Sequence, residues 1–310
     1  MRNWLAEGDY AQLELRIVAL LAGDEPLLET FANGEDPHAK NAADIFGIPV
    51  SDVAKSQRDF AKTFVYAANY LGTAETIWKN ICVEFPDAGF TLLQIDRSLR
   101  NWFKRHSAIQ RWQQAALKTA RQLDKVVAPI SGHELFFFGN VEPNKVVNYP
   151  VQHTAADIIN PVTRAVCDAL DWPREGILAQ CHDALLVDGP DPIRLYKILK
   201  EKMTSRVTLA GREMMFEIDV KIGRSWGNAV EIKDETKLEE TIARLLKDEQ
   251  DRADALVEES TRGGAANSAS AKSNTASGRN KGRTAKTARS LRANRDIETT
   301  RNPRKKQKKC

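Results

Sequence analysis

Apolar and polar positions along the chain change period repeatedly, and each change marks an element. Asn3-Trp4-Leu5-Ala6-Glu7 leads into Asp9, and Leu15, Ile17, Val18, Leu20 and Leu21 follow as an apolar run. A short strand delivering Asp9 and a helix from about Glu14 are expected. Asp24-Glu25-Pro26 opens a second helix through Leu27, Leu28 and Phe31. After a turn at Asn33-Gly34-Glu35-Asp36, Pro37 stands at the first position of a third helix, which Gly47-Ile48-Pro49 stops. From Ser56 to Tyr70 the period is helical again. Ser56 and Asp59 have capping-box spacing. Phe60, Phe64, Ala67 and Ala68 can pack, while Arg58, Lys62, Tyr66 and Tyr70 form a stripe on another face.

Residues 73–124 read as further helices, broken near Phe85-Pro86-Asp87-Ala88-Gly89, with Trp102, Phe103, Ile109 and Trp112 as core candidates. Residues 126–141 have strand character, with turns at Ser131-Gly132 and Gly139-Asn140 and Phe136-Phe137-Phe138 in a hairpin. Asn148-Tyr149-Pro150-Val151-Gln152 leads into a helix over 154–170. Ile177 to Cys181 and Ala184 to Asp188 are apolar runs around His182-Asp183, which predicts a buried hairpin with an acid at its tip. A helix over 190–209 and an alternating strand over 215–222 follow, and Gly223-Arg224-Ser225-Trp226-Gly227 closes the globular part. Residues 233–259 read as a charged helix with Leu238, Ile242, Leu245 and Leu246 on one side.

Composition adds a division that the periodicity does not show. The formal net charge is +4, yet 261–310 holds 15 Lys and Arg against 2 Asp and Glu. That leaves 31 basic and 40 acidic residues for 1–260, so an acidic body carries a basic tail. From Arg262 onward Gly, Ala, Ser, Asn, Lys and Arg dominate, a composition too poor in apolar area to offset chain entropy, so 260–310 is expected to be disordered. Such a tail can hold a polyanion by counterion release, or serve only to solubilise. No apolar run approaches the roughly 18 residues of a membrane span. No signal peptide is read at the N-terminus, and Cys82, Cys167, Cys181 and Cys310 lack CxxC spacing. A cytoplasmic protein with reduced thiols and no membrane partner is expected.

Four features carry candidate chemistry. Asp9 at a strand end is a place for a divalent cation, although most such aspartates are caps or turn formers. Arg58 and Lys62, one turn apart and followed by Tyr66 and Tyr70, suit a substrate with phosphates at one end and a base at the other; an ordinary amphipathic helix is the plainer reading. Asn148 and Gln152 can contact base or sugar edges, or act as caps. Asp183 at a buried hairpin tip suits a metal or catalytic role as readily as a structural one, and His182 alone is more often structural.

In this order the four resemble the motifs of family A DNA polymerases. Asp9-Tyr10-Ala11-Gln12-Leu13-Glu14-Leu15-Arg16 is similar to the family's first motif, with Ala11 where Ser is common. Gln57-Arg58, Lys62, Tyr66, Tyr70 and Gly72 are similar to the second, with one extra residue before the Gly. Asn148 to Asp157 resembles the segment before the third motif, His182-Asp183 resembles the third, and Gly223 to Gly227 the usual end; the resemblance covers about 1–232.

The resemblance implies an α+β, right-hand-like fold. A palm of antiparallel sheet is expected over 1–32 and 126–232, helical fingers over 33–125, then the charged helix and the tail. It implies template-directed DNA synthesis, with primer-template DNA and a dNTP as partners and two Mg2+ ions as cofactors. Asp9, Asp183 and the Tyr10 carbonyl would hold the ions, which activate the primer 3′-hydroxyl and stabilise the leaving pyrophosphate. Arg58, Lys62 and His38 would meet the triphosphate, and Lys62 would also donate a proton to the leaving group. Tyr10 and Gln12 would line the nucleotide site, Tyr66 would lie on sugar and base, and Tyr70 near the templating base. Glu14 would block a ribose 2′-hydroxyl, which argues against an RNA polymerase sharing the palm. Asn148, Gln152 and His182 would touch DNA. Tyr rather than Phe at 66 predicts tolerance of dideoxynucleotides, which Tyr66→Phe would lower.

Departures carry expectations too. Ala184 stands where the third motif has Glu, and Gly132-His133-Glu134 where a basic cluster faces DNA, so metal or primer positioning and template grip should both weaken. Family members place a thumb, and often an exonuclease, before the first motif. Eight residues precede Asp9, so a separate thumb- or exonuclease-bearing chain is the expected partner. The other expectation is an inactive remnant that binds DNA only.

Overall fold

Residue 9 lies at the end of the central strand, and the sheet is assembled around it. In the computed structural model, which describes residues 3–252 and 254, strand β1 (Trp4–Tyr10) turns Ala6, Gly8 and Tyr10 to one face and Leu5, Glu7 and Asp9 to the other. Strands β4 (Gly176–Cys181), β5 (Ala184–Gly189), β8 (Ile218–Gly223) and β9 (Val230–Glu231) join it antiparallel in the order β4-β5-β1-β8-β9. Asp9 faces Ala184 across β5 and Asp219 across β8. Behind the sheet lies α9 (Pro192–Met203), with Leu195, Leu199 and Met203 fully buried. Gly8 brings the strand close to this helix, since a Cβ there would sit 2.7 Å from the Met203 sulfur.

The helices between β1 and β4 form a second layer of structure. They are α1 (Leu13–Ala22), α2 (Glu25–Ala32), α3 (Pro37–Phe46), α4 (Lys55–Asn69), α5 (Ala74–Glu84), α6 (Leu92–Arg105), α7 (Ser107–Leu123) and α8 (Pro143–Ala169). Asp24 and Asp36 cap α2 and α3, each with Pro in the first turn, as their sequences imply. One hydrophobic core runs from the sheet into these helices through Leu13, Phe60, Phe64, Ile77, Ile95 and Ile109. Two hairpins pack onto the body: β2 (Lys125–Val127) with β3 (Glu134–Phe136) joins a small cluster with Ala120 and Val146, and β6 (Ser205–Leu209) with β7 (Arg212–Phe216) buries Leu209 and Phe216 in the main core. The α+β class with an antiparallel sheet is as the sequence implies.

Several boundaries differ from the sequence reading, each for a physical reason. Helix α4 starts at Lys55, and Gln57 rather than Asp59 reaches back, accepting from the Ala54 N–H at 2.9 Å. Helix α8 begins at Pro143, so Asn148 and Gln152 lie within it and not before it. Pro150 and Pro161 do not stop it, because the buried face of Val146, Val147, Val151, Ile158 and Ile159 offsets the lost backbone hydrogen bonds. The stretch expected as one helix over 190–209 divides into α9 and β6, and that expected as one strand over 215–222 divides at Glu217 between two sheets. The hairpin around Asp183 is buried on β5 only. Strand β4 is a sheet edge, with Leu178 55% exposed. The globular part continues past Gly227, for β9 pairs with β8, and Leu238 and Ile242 of a helix that begins at 238 are buried in the main core.

Contacts divide the chain into two units, Met1–Gln250 and Asp251–Cys310. The tail expected to be disordered falls in the second, outside the described residues. Among the described residues no helix is long and apolar enough to cross a membrane, and Cys82, Cys167 and Cys181 are free thiols.

Candidate active site

The turn after β1 is held from several sides. The Tyr10 side chain points away from the site, its hydroxyl donating to the Met203 carbonyl at 2.7 Å, and burial pushes its pKa up to about 12. Only the Tyr10 backbone therefore faces forward, with its N–H donating to the Asp183 carbonyl at 3.3 Å. Ala11 N–H donates to Glu217 O at 2.9 Å. Arg16 braces the turn: its Nε donates to Ala11 O at 2.8 Å, an Nη to Met215 O at 3.0 Å, and its guanidinium lies 4.3 Å above the Phe31 ring. Gln12 takes a left-handed φ of 60° and leaves its Oε1 buried without a partner.

Asp9 and Asp183 come together although 174 positions separate them, because the two-residue turn of the β4–β5 hairpin sits beside the end of β1. His182 in that turn has φ 56°, and its side chain is exposed. Burial, then the neighbouring Asp183, push the Asp9 carboxyl up to about 6 from its usual 3.8; Lys221 opposes this, and Glu7 and Asp219 add to it. The front face of the sheet continues through Glu7, which accepts from Lys221 Nζ at 3.0 Å and from the Trp226 indole.

The α4 stripe faces this corner. Burial, then the charges of Glu14, Asp183 and Asp9, raise the Tyr66 hydroxyl to about 12, so acids from two motifs act on it. The Tyr70 hydroxyl donates to Glu14 Oε2; burial and that acid push it far up, and Glu14 is held in place. Lys62 is exposed, 5.9 Å from the Tyr66 ring centroid. Arg58 donates from Nε to Asp36, whose other oxygen caps α3 by accepting from the His38 and Ala39 N–H groups at 2.9 and 3.3 Å. Burial works to raise Asp36, but the Arg58 hydrogen bond and charge hold it below the usual range. His38 is 1% exposed under Tyr66, with both ring nitrogens unpartnered. Burial lowers it to about 4; Asp36 opposes the shift, while Arg58 and Lys62 deepen it. A cleft of about 750 Å³ runs along this face, lined by Lys62, Tyr66, Tyr70, Asn80 and Asn144. Asn148 on α8 has a buried, unpartnered Oδ1, and Gln152, one turn on, is exposed.

The donors around Asp9 are all oxygen: two carboxylates and a forward-facing backbone. Among the described residues no group of three or more His, Cys, Asp and Glu is arranged to hold a metal ion. Two carboxylates nevertheless suit Mg2+, which characteristically takes one or two from the protein and completes its shell with water and phosphate oxygens. The raised Asp9 pKa marks uncompensated negative charge that a cation would relieve. Sequence reasoning passed over Asp36, Glu7, Asp219 and Lys221. The alternation of β8 puts Glu217, Asp219 and Lys221 on one face, but only pairing with β1 shows that this face is the one bearing Asp9.

A central antiparallel strand ending in an acid, flanked by a hairpin ending in another and overlooked by a helix with a cation–aromatic stripe, is the layout of a polymerase palm with its fingers. The chain belongs to DNA polymerase family A, whose profile matches residues 1–228. It is 29% identical over 238 residues to DNA polymerase I of Mycobacterium tuberculosis, covering 73% of this chain and 25% of that protein. With the thermostable DNA polymerase I of Thermus aquaticus the identity is 26% over 240 residues, covering 74% and 28%. The POL domain of Pol1 from M. smegmatis, solved in complex with DNA primer-template and dNTP, superimposes with a TM-score of 0.63 at 25% identity, covering 74% of this chain and 41% of that one. The chain thus spans about a quarter of the length of these curated relatives.

Proposed function

We propose that this chain carries the nucleotidyl-transfer centre of a template-directed DNA polymerase, adding deoxynucleotides to a primer 3′ end. The observation that carries the reading is the convergence of Asp9, Asp183, Glu14 and the Tyr66 ring, contributed by three separate segments, at one corner of the sheet. When bound, two Mg2+ ions held by Asp9, Asp183 and the Tyr10 carbonyl supply the positive charge that activates the 3′-hydroxyl and stabilises departing pyrophosphate. The residues of the chain do the positioning. Residues 33–125 act as fingers, and 1–32 with 126–232 as palm. Arg58, once released from Asp36, and Lys62 grip the triphosphate, with Lys62 placed to give a proton to the leaving group. His38, buried under Tyr66 with its pKa lowered to about 4, supports that end of the stripe. Tyr66 stacks on the incoming sugar and base, Tyr70 lies by the templating base, and Tyr70 fixes Glu14 against a 2′-hydroxyl. Gln12 borders the nucleotide, and Asn148, Gln152 and His182 meet the primer-template. Primer-template DNA and a dNTP are the proposed partners, a thumb-bearing chain is a further proposed partner whose contribution a primer-extension assay reads, and the cytoplasm is the proposed setting.

Primer extension with Mg2+, with and without a thumb-bearing polymerase fragment, tests the reading. Extension by the full chain, lost in Asp183→Ala, is the expected result. Extension that survives Asp183→Ala overturns the site assignment, and DNA binding without extension under either condition points to a remnant that only binds DNA.

A further inference from the structure

Ala184 stands where the resemblance expects a second acid in the third motif, and the sheet register shows which acid lies on the other side of Asp9. Asp9 has two cross-strand neighbours, Ala184 on β5 and Asp219 on β8. Directly opposed residues in antiparallel strands share a face, with Cβ atoms about 4.5–5.5 Å apart. A carboxylate at 184 would flank Asp9 from one side; Ala184 offers only a methyl group. Asp219 flanks it from the other.

Resting on the reading that Asp9 and Asp183 hold divalent cations, we propose that Asp219 is the third carboxylate of the site, a positioning residue that supplies from β8 what position 184 no longer supplies from β5. Three observations support it. Asp219 is exposed on the front face and forms no hydrogen bond or ion pair among the described residues, so its oxygens are available. The next residue along that face, Lys221, is committed to Glu7 at 3.0 Å, and the Arg16 guanidinium, a cation that feels the charge of Asp219, donates its hydrogen bonds to the Ala11 and Met215 carbonyls. Asp219 also lines a cleft of about 910 Å³ together with Ala11 and Gln12 of the first motif. Among the described residues no three acids lie close enough to chelate one ion. Asp219 therefore works through water: its oxygens accept hydrogen bonds from water on an ion held by Asp9 and Asp183, fixing that water's orientation. Mg2+ keeps several such waters, and partners at this remove characteristically change metal affinity 10–100-fold.

The test is Mn2+ titration of the full chain, with free Mn2+ read by electron paramagnetic resonance and folding of each variant checked by thermal melting. Asp219→Asn should weaken the site about tenfold, and Asp219→Glu should retain most of the affinity. Ala184→Glu placed in the Asp219→Asn background should recover it, because the acid is returned to the opposite side of Asp9. A merely structural role for Asp219 would not be rescued from position 184. Wild-type affinity in Asp219→Asn, with loss in Asp183→Asn, overturns this proposal alone. Wild-type affinity in Asp219→Asn, Asp183→Asn and Asp9→Asn alike overturns the two-carboxylate site as well.

Discussion

Asp9 is the residue on which the charge of the site concentrates, and its protonation gives a direct handle on it. Its folded pKa, about 6, lies above the ordinary 3.8, with burial as the first cause and Asp183 as the second. The folded state therefore takes up a proton more readily than the unfolded chain. The stability this contributes is fully present below about pH 4 and is lost as pH rises through about 6. At pH 7.5 without divalent cations, Asp9→Asn should stabilise the protein by on the order of 1 kcal/mol, after allowance for solvent screening. The gain should vanish near pH 4. Mg2+ should raise the melting temperature of the wild type at pH 7.5 and leave that of Asp9→Asn nearly unmoved. Calorimetry over that pH range, with and without Mg2+, checks both statements. Of the five non-glycine residues with left-handed φ among the described residues, Gln12, Leu71 and His182 stand one in each motif, Asp124 and Ala210 lie in other turns, and each carries about 1–2 kcal/mol of backbone strain.

At the scale of elements, the end of α4 shows how an irregular motif is absorbed. The extra residue before Gly72 is Leu71, which takes φ 62° to leave the helix. Gly72 then donates to Ala67 O at 2.7 Å, and a Cβ on it would lie 2.6 Å from that same carbonyl. Backbone cannot yield there as a side chain can. Gly72→Ala should destabilise the protein by roughly 1–3 kcal/mol, which for a domain of this size lowers the melting temperature by about 2–4 °C per kcal/mol. Because Tyr70 is displaced with the turn, its bond to Glu14 should weaken, and discrimination against ribonucleotides should fall in parallel. Thermal melting and nucleotide competition on one preparation measure the two effects. The elements read correctly from sequence, among them α2, α3 and α5, begin with a local cap or Pro signal. Those misread, α8 and the division of 190–209, depend on which neighbours cover an apolar face.

At the scale of the whole molecule, charge is split between an acidic body and a basic tail. The compact unit Met1–Gln250 contains the entire candidate site, so removal of 261–310 should leave the melting temperature unchanged. Its effect should appear in DNA binding. Each phosphate that the protein no longer neutralises reduces the slope of log affinity against log salt by about 0.9 for duplex DNA. A fall of several units in that slope on deleting the tail, measured by anisotropy across a salt series, is expected if its 15 cations grip DNA. An unchanged slope assigns them to solubility.

Taken alone, the sequence determined the order of the motifs along the chain. The Arg58–Tyr70 stripe, the caps and the tight turn at Asp183 were legible because they are local and leave their marks within a few residues, whereas the roles proposed for Asp9, Arg58, Lys62, Tyr66 and Asp183 came from the family resemblance of the set. Only the tertiary structure decided that Asp219 stands beside Asp9 and that Tyr70 holds Glu14. It alone placed Arg58 on Asp36 and Asn148 within a helix that passes through two prolines. Strand register and helix burial depend on partners far away along the chain, and no local pattern encodes which partner arrives. The chemical groups are written along the chain, and the fold determines which of them meet.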